Sequence, residues 1–230
     1  MDALELIAQT AVFGGMSAAE LEPLRPALRT RAFVKDSYLF REGDPGSHLY
    51  VVVKGQVKIS KVAESGGEVV FAVAGPGEVF GELGVFEEAG ERTADAQALQ
   101  ATECIVVARD ALVRFCLDHP RLLLRMISSL IGYVRRKDAA IAEAAFVDIP
   151  GRVALKLLEL AAAKGEQAGD GIRIGVPISQ RTLAGMVGAS RENVNRALSR
   201  FAELGYIRQE RGSLTILKPA DLRKRGSPVV

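Results

Sequence analysis

The chain has 230 residues, 48% of them hydrophobic, with 30 Lys/Arg against 28 Asp/Glu and two cysteines. That length holds one large or two modest domains around a sizeable core. It excludes a membrane-spanning helix, because no apolar run reaches the roughly 18 residues required. MDALELIAQ lacks a basic n-region and does not read as a secretory signal, and Cys104 and Cys116 form neither a disulfide framework nor a CxxC metal pattern. These features fit a reducing cytoplasm, with no membrane partner and no metal expected. The net charge of +2 divides unevenly: residues 1–149 hold 16 Lys/Arg and 21 Asp/Glu, whereas residues 150–230 hold 14 and 7. A basic C-terminal third is what a domain meeting nucleic acid carries, although a plain basic domain would look the same on charge alone.

In chain order, residues 3–9 and 17–29 read as helices, the second with Ser17 and Glu20 at capping-box spacing. From Ala32 to Ala108 the texture is β: runs such as HLYVVVKGQVKIS and EVVFAVAG are rich in Val, Ile, Phe and Tyr. Glycines at 43, 46, 55, 66, 67, 75 and 77 punctuate these runs. Many short strands with regular turns predict a jelly-roll-like barrel or sandwich. Residues 109–117 predict a short helix, and Pro120 opens a longer one to about Ala145. Along it Leu123 and Leu130, Met126 and Tyr133, and Ile127, Val134 and Ile141 recur every seven residues. Such a stripe predicts a two-stranded coiled coil or a helix packed on its own barrel.

Asp148, Pro150 and Gly151 mark a hinge before an amphipathic helix over 151–164. KGEQAGDG reads as a polar loop, and IRI and VPI as strand pieces. Ser179 caps a helix over 180–187, Gly188 permits a sharp turn, and Ser190 caps a second helix over about 191–204. Two short helices joined in this way form a helix-turn-helix, whose second helix enters the major groove. Two strands around Arg211-Gly212 read as a wing with Arg208 and Arg211 near phosphates, and DLRKRGSPVV reads as a mobile basic tail. The fold class is therefore α+β: a jelly roll over 1–118, a long helix and hinge over 119–148, and a winged helix-turn-helix over 149–230.

The chemistry concentrates in FGELGVFEEAGERTADA, residues 80–96. Gly81 and Gly84 let the backbone turn tightly and approach a ligand, and exposed N–H groups in such a turn suit an anion. Arg92 supplies a planar fork for a phosphate. Glu82 would repel that phosphate but suits a sugar hydroxyl. The combination asks for a sugar phosphate; the plain alternative is a glycine-rich hairpin in which Arg92 pairs with Glu82.

FGELGVFEEAGERTA closely resembles the phosphate-binding cassette of the cyclic-AMP receptor protein family of bacterial transcription regulators. The resemblance implies that Glu82 binds a ribose 2′-hydroxyl and that Arg92 and Thr93 bind a cyclic phosphate, with Gly81 and Leu83 completing the cassette. It also implies that the long helix is a dimer interface. In the family's best-known cyclic-AMP sensor the adenine is reached from a Thr-Ser pair; the matching positions here are Lys137 and Asp138. Those two residues either face the base or form an ion pair between helices, so the base stays open among cyclic AMP, cyclic GMP and a cyclic dinucleotide. EGDPGSHLYVVVKGQVKI resembles the family's early strands, where Gly43, Gly46 and Gly55 set turns.

On the second helix Val194, Leu198 and Phe201 form an inward stripe, leaving Arg191, Glu192, Asn193 and Arg196 largely off it. Arginine can take guanine O6 and N7 together, and glutamate the cytosine amino group. VGASRENVNRAL resembles the family's recognition helix, which implies that Arg191, Glu192 and Arg196 read a GTGA-type half-site. Asn193 and Asn195 depart from the archetype, so neighbouring bases are open to a different reading, and Ser179, Ser190, Asn193 and the wing's Arg211 are further expected DNA contacts. The implied partners are double-stranded DNA, a second copy of the chain and RNA polymerase. The reading is a homodimeric regulator switched by a cyclic nucleotide, most simply cyclic AMP, and not an enzyme. The alternative is a regulator of the same fold that needs no nucleotide. Histidines 48 and 119, expected at the surface, make no metal constellation.

Overall fold

The computed structural model describes residues 2–64, 66–87, 90–174, 179–210 and 213–227. Contacts divide the chain into two units, Met1–Ala63 with Phe71–Arg135, and Glu64–Val70 with Arg136–Val230.

In the first unit, α1 (Ala3–Ala8) and α2 (Ala18–Leu21) each begin with a capping box, Asp2 with Glu5 and Ser17 with Glu20. The helix expected over 17–29 stops early. Pro23 and Pro26 deprive it of donors, so Glu22–Ala27 tightens into a 3-10 turn and β1 starts at Leu28. Two four-stranded sheets follow. One has the order β1 (Leu28–Phe33), β8 (Thr102–Ala108), β3 (His48–Lys54), β6 (Val79–Phe80); the other has β2 (Tyr38–Phe40), β7 (Asp95–Ala98), β4 (Val57–Val62), β5 (Glu68–Ala74). The pairings of β1 with β8, β8 with β3 and β4 with β7 are antiparallel, as expected for a jelly roll.

Strands β3 and β8 are buried on both faces. Tyr50, Val52, Cys104 and Val106 join Phe40, Val57, Phe80 and Ala96 in a core between the sheets. Their alternate residues Leu49, Val51, Ile105 and Val107 face a second core with Leu4, Ile7, Phe13, Leu21 and Leu24. Period-2 alternation thus serves two cores from one strand pair. That second core also takes Leu112, Phe115 and Cys116 of α4 (Arg109–Asp118), and Leu122 and Met126 of α5. Burial pushes the Cys104 thiol up to about 12 and the Cys116 thiol up to about 11.

Helix α5 (Pro120–Phe146) runs 27 residues from its N-terminal proline. Its Ile127, Val134 and Ile141 are exposed, as are Leu124 and Ile131. None of the described helices is long and apolar enough to cross a membrane.

The second unit holds α6 (Ile149–Lys164), α7 (Gln180–Val187), α8 (Arg191–Glu203) and α9 (Pro219–Arg225). Its sheet has the order β11 (Ile207–Glu210), β12 (Ser213–Ile216), β10 (Gly171–Ile174), β9 (Gly165–Ala168). The sequence reading needs two corrections here. KGEQAGDG is not a plain loop: Gly165–Ala168 pairs residue for residue with Gly171–Ile174, because backbone bonding overrides a polar composition. The basic tail is not simply mobile: Pro219 starts a helix and Leu222 is fully buried, a gain of about 1.5–3 kcal/mol. The expected VPI strand piece and the wing's Arg211-Gly212 lie outside the described residues.

Candidate functional site

Arg92 is 3% exposed, yet no carboxylate among the described residues lies within ion-pair distance of it. Its Nη1 donates to the Gly81 carbonyl at 2.8 Å and its Nη2 to the His48 carbonyl at 2.7 Å. The guanidinium lies 4.1 Å over the Phe40 ring and 5.6 Å from that of Tyr50. Its Nε is buried with no hydrogen-bond partner among the described residues. Burial pulls the Arg92 pKa below the ordinary arginine value, against the opposing pull of Tyr50, Asp44 and Glu82; an arginine stays charged even so. A desolvated cation held only by neutral dipoles is costly, and an anion offsets that cost. The hairpin reading, in which Arg92 merely pairs with Glu82, does not describe this geometry.

The local fold builds this seat. Gly81 takes a φ of 85°, and a Cβ there would stand 2.8 Å from Arg92 Nη1. Helix α3 (Glu82–Phe86) starts immediately after it. Glu82 is half-buried, and burial raises its pKa against the pull of its own N–H and Arg92. Leu83 is 41% exposed and Thr93 is exposed. The sequence reading assigned Gly46 to a turn; it serves a close approach, since a Cβ there would stand 2.1 Å from the Gly84 carbonyl oxygen. The same loop pairs with the backbone of Arg92 itself: Arg92 N–H donates to the Asp44 carbonyl at 2.8 Å and Gly43 N–H to the Arg92 carbonyl at 2.9 Å. His48 is half-buried rather than at the surface, and burial followed by Arg31 and Arg92 lowers its pKa. His119 is half-buried too, its ring 4.2 Å from that of Phe115.

Sequence reasoning missed Phe40, Tyr50 and His48 as the seat of Arg92. The only signal was three aromatics, with Phe80, on inward strand positions; Tyr50 and Phe80 stack at 5.2 Å.

Lys137 and Asp138 belong to the second unit. Lys137 is half-buried; burial, then Lys156 and Arg136, hold its pKa down while Glu159 raises it. Asp138 is exposed.

In the helix-turn-helix, the Ser179 hydroxyl accepts from Thr182 N–H at 3.0 Å and the Ser190 hydroxyl from Asn193 N–H at 3.3 Å. Gly188 ends α7 in the left-handed region. Arg152 of α6 donates to the Val187 carbonyl at 2.7 Å, and Gln180 bridges to Asn195 at 3.1 Å; sequence reasoning found neither lock. Val194, Ala197, Leu198 and Phe201 are buried, which turns Arg191, Glu192 and Arg196 outward, all exposed, with Asn193 half-buried. Arg196 donates to Asn193 Oδ1. The Glu192 N–H and the Ser190 hydroxyl, with Arg191 and Arg196 beside them, hold the Glu192 carboxyl below its usual range. Arg211 lies outside the described residues.

Residues 30–119 match the family model for a cyclic nucleotide-binding domain, and residues 151–225 the Crp-like helix-turn-helix domain. The chain is 36% identical over 221 residues to a CRP-like cAMP-activated global transcriptional regulator of Mycobacterium tuberculosis, covering 96% of this chain and 98% of the relative. Its fold is similar to FixK2 of Bradyrhizobium japonicum, with a TM-score of 0.78 at 22% identity over 88% of this chain and 99% of the other. It is also similar to the c-di-GMP responsive regulator CLP of Xanthomonas campestris, with a TM-score of 0.76 at 24% identity over 87% and 99%. With a cyclic nucleotide-binding sheet domain ahead of a helix-turn-helix, and relatives that are regulators rather than enzymes, the chain belongs to the CRP/FNR family of DNA-binding transcription regulators.

Proposed function

We propose that the protein is a homodimeric regulator that binds cyclic AMP at Arg92 and reads pseudo-palindromic GTGA-type DNA. The observation that carries the reading is the buried Arg92, which has no carboxylate partner among the described residues. A cyclic phosphate supplies the missing charge at its Nε edge, Thr93 adds a hydroxyl, and Glu82 takes the ribose 2′-hydroxyl. The cAMP-activated relative at 36% identity supports adenine as the base. Lys137 and Asp138 favour a second reading, because an acidic and a basic side chain stand where the family's cyclic-AMP sensor has Thr-Ser. A carboxylate can accept from guanine N1–H and N2–H₂ together, so cyclic GMP is the competing effector.

The exposed stripe of Ile127, Val134 and Ile141 supports a helix-to-helix dimer. Two copies place recognition helices about 34–36 Å apart, one turn of DNA. Arg191 and Glu192 at the start of α8, with Arg196, read bases, while Ser179 and Ser190 contact the backbone. Contact with RNA polymerase belongs to this reading on family grounds alone.

The test is a titration with cyclic AMP, cyclic GMP and cyclic di-GMP, each with and without a palindromic GTGA duplex, with light scattering on the same samples. Tighter DNA binding with one mononucleotide, at twice the 24.6 kDa chain mass, is expected. DNA affinity indifferent to all three would leave an effector-independent regulator. Arg191→Ala should relax base preference by about 1–3 kcal/mol at one position of the half-site, and an unaltered preference in binding-site selection would remove Arg191 from base reading.

A further inference from the structure

Helix α9 is held in place by more than one tie. Leu222 is fully buried, a Cβ on Gly226 would stand 2.5 Å from the Leu155 side chain, and the Arg225 carbonyl oxygen lies 3.0 Å from where a Cβ on Gly151 would be. Arg225 Nη2 donates to Asp148 Oδ2 at 2.5 Å, beside the N-terminus of α6. The end of α9 is thereby fixed against the first turn of α6, and between these helices and α8 an open cleft of about 910 Å³ remains.

The cleft has an apolar floor that includes Pro150, Ala197 and Leu204. Arg196, Arg200, Lys224 and Arg225 stand around it against Asp148 and Asp221, so the rim is cationic. The Arg152 Nε, in its wall, is buried with no hydrogen-bond partner among the described residues. Lys224 has an 82% exposed side chain, and among the described residues the carboxylate within ion-pair distance of it is Asp221 at 3.9 Å, an ion pair too long and too wet to neutralise it. Asn193 and Arg196, on the outward face of the recognition helix, form part of the same wall. A duplex that admits α8 into its groove therefore brings a strand to this cleft.

We infer that α9 is a second DNA clamp: Lys224, on a helix stapled to α6 by Leu222 and Arg225, takes a phosphate of the strand beside the groove that α8 enters. Deoxyribose faces suit the apolar floor and phosphates the cationic rim. Such contacts add affinity and fix orientation without reading sequence. The inference rests on the DNA-binding reading above and assigns the basic C-terminal segment a place in it.

The experiment uses full-length Lys224→Gln and Lys224→Arg, an exposed position whose change spares the core. Each is titrated by fluorescence anisotropy with a duplex selected by the wild type, across a potassium chloride series, with cyclic AMP, cyclic GMP or cyclic di-GMP saturating. Lys224→Gln is expected to weaken binding severalfold and to flatten the slope of log affinity against log salt by about 0.9 per subunit. Its base preference should stay that of the wild type, and Lys224→Arg should restore both quantities. An unchanged slope in Lys224→Gln, while Arg191→Ala relaxes base preference, overturns the clamp alone and leaves the cleft to an acidic protein segment. A wild type that binds no duplex under any effector overturns the DNA reading and the clamp with it.

Discussion

Replacing Arg92 by alanine is expected to abolish nucleotide binding at micromolar ligand while the protein stays folded. The expected cost is about 2–5 kcal/mol, or roughly one and a half to three and a half decades in Kd. Arg92 supplies charge and fork geometry together, and its neighbours cannot replace it: the Gly81 and His48 carbonyls are acceptors that would repel a phosphate. Arg92→Lys separates the two contributions. It keeps the charge but cannot reach both carbonyls and a phosphate from one plane, so it should fall between wild type and alanine. Calorimetry finding unchanged affinity in Arg92→Ala would defeat the assignment of the phosphate site, and circular dichroism guards against loss of the fold.

Phe201→Ala is expected to have the largest effect on stability. The ring is 2% exposed and packs with Val194, Ala197, Leu198, Ile207 and Leu222 in a core that shares no residue with the two cores of the first unit. Emptying it should cost about 3–5 kcal/mol. Because the recognition helix carries Phe201 on its inward stripe, its outward residues lose their fixed positions and DNA affinity falls. The first unit should keep its melting transition and its affinity for nucleotide. Scanning calorimetry in which both units lose stability equally would show that the two do not melt independently.

The parts of the fold that local chemistry writes were legible. Ser179, Gly188 and Ser190 delimit α7 and α8 because caps act over three residues. Glycines 81 and 84 and Arg92 fall within a dozen residues, so their joint chemistry could be read along the chain. The seat of Arg92 could not be read in this way. His48 is 44 residues distant and offers a backbone carbonyl, a group that every residue owns. Phe40 contributes only a ring face, which sequence cannot distinguish from ordinary core packing. The strand over Gly165–Ala168 was hidden because its partner β10 creates it. The tail was misread because one buried leucine, Leu222, outweighs the charges around it. Pro23 and Pro26, by contrast, were visible signals that the helix reading passed over.

Cys104 and Cys116 stand on opposite sides of the same sheet, one in each core of the first unit, and both are buried. Burial keeps them protonated at neutral pH, and a thiol must ionise to attack an alkylating reagent. Iodoacetamide therefore should not label the intact chain; its uptake times the opening of each core. If the two thiols label at one common rate, the jelly roll and its helical cover come apart as a single cooperative body.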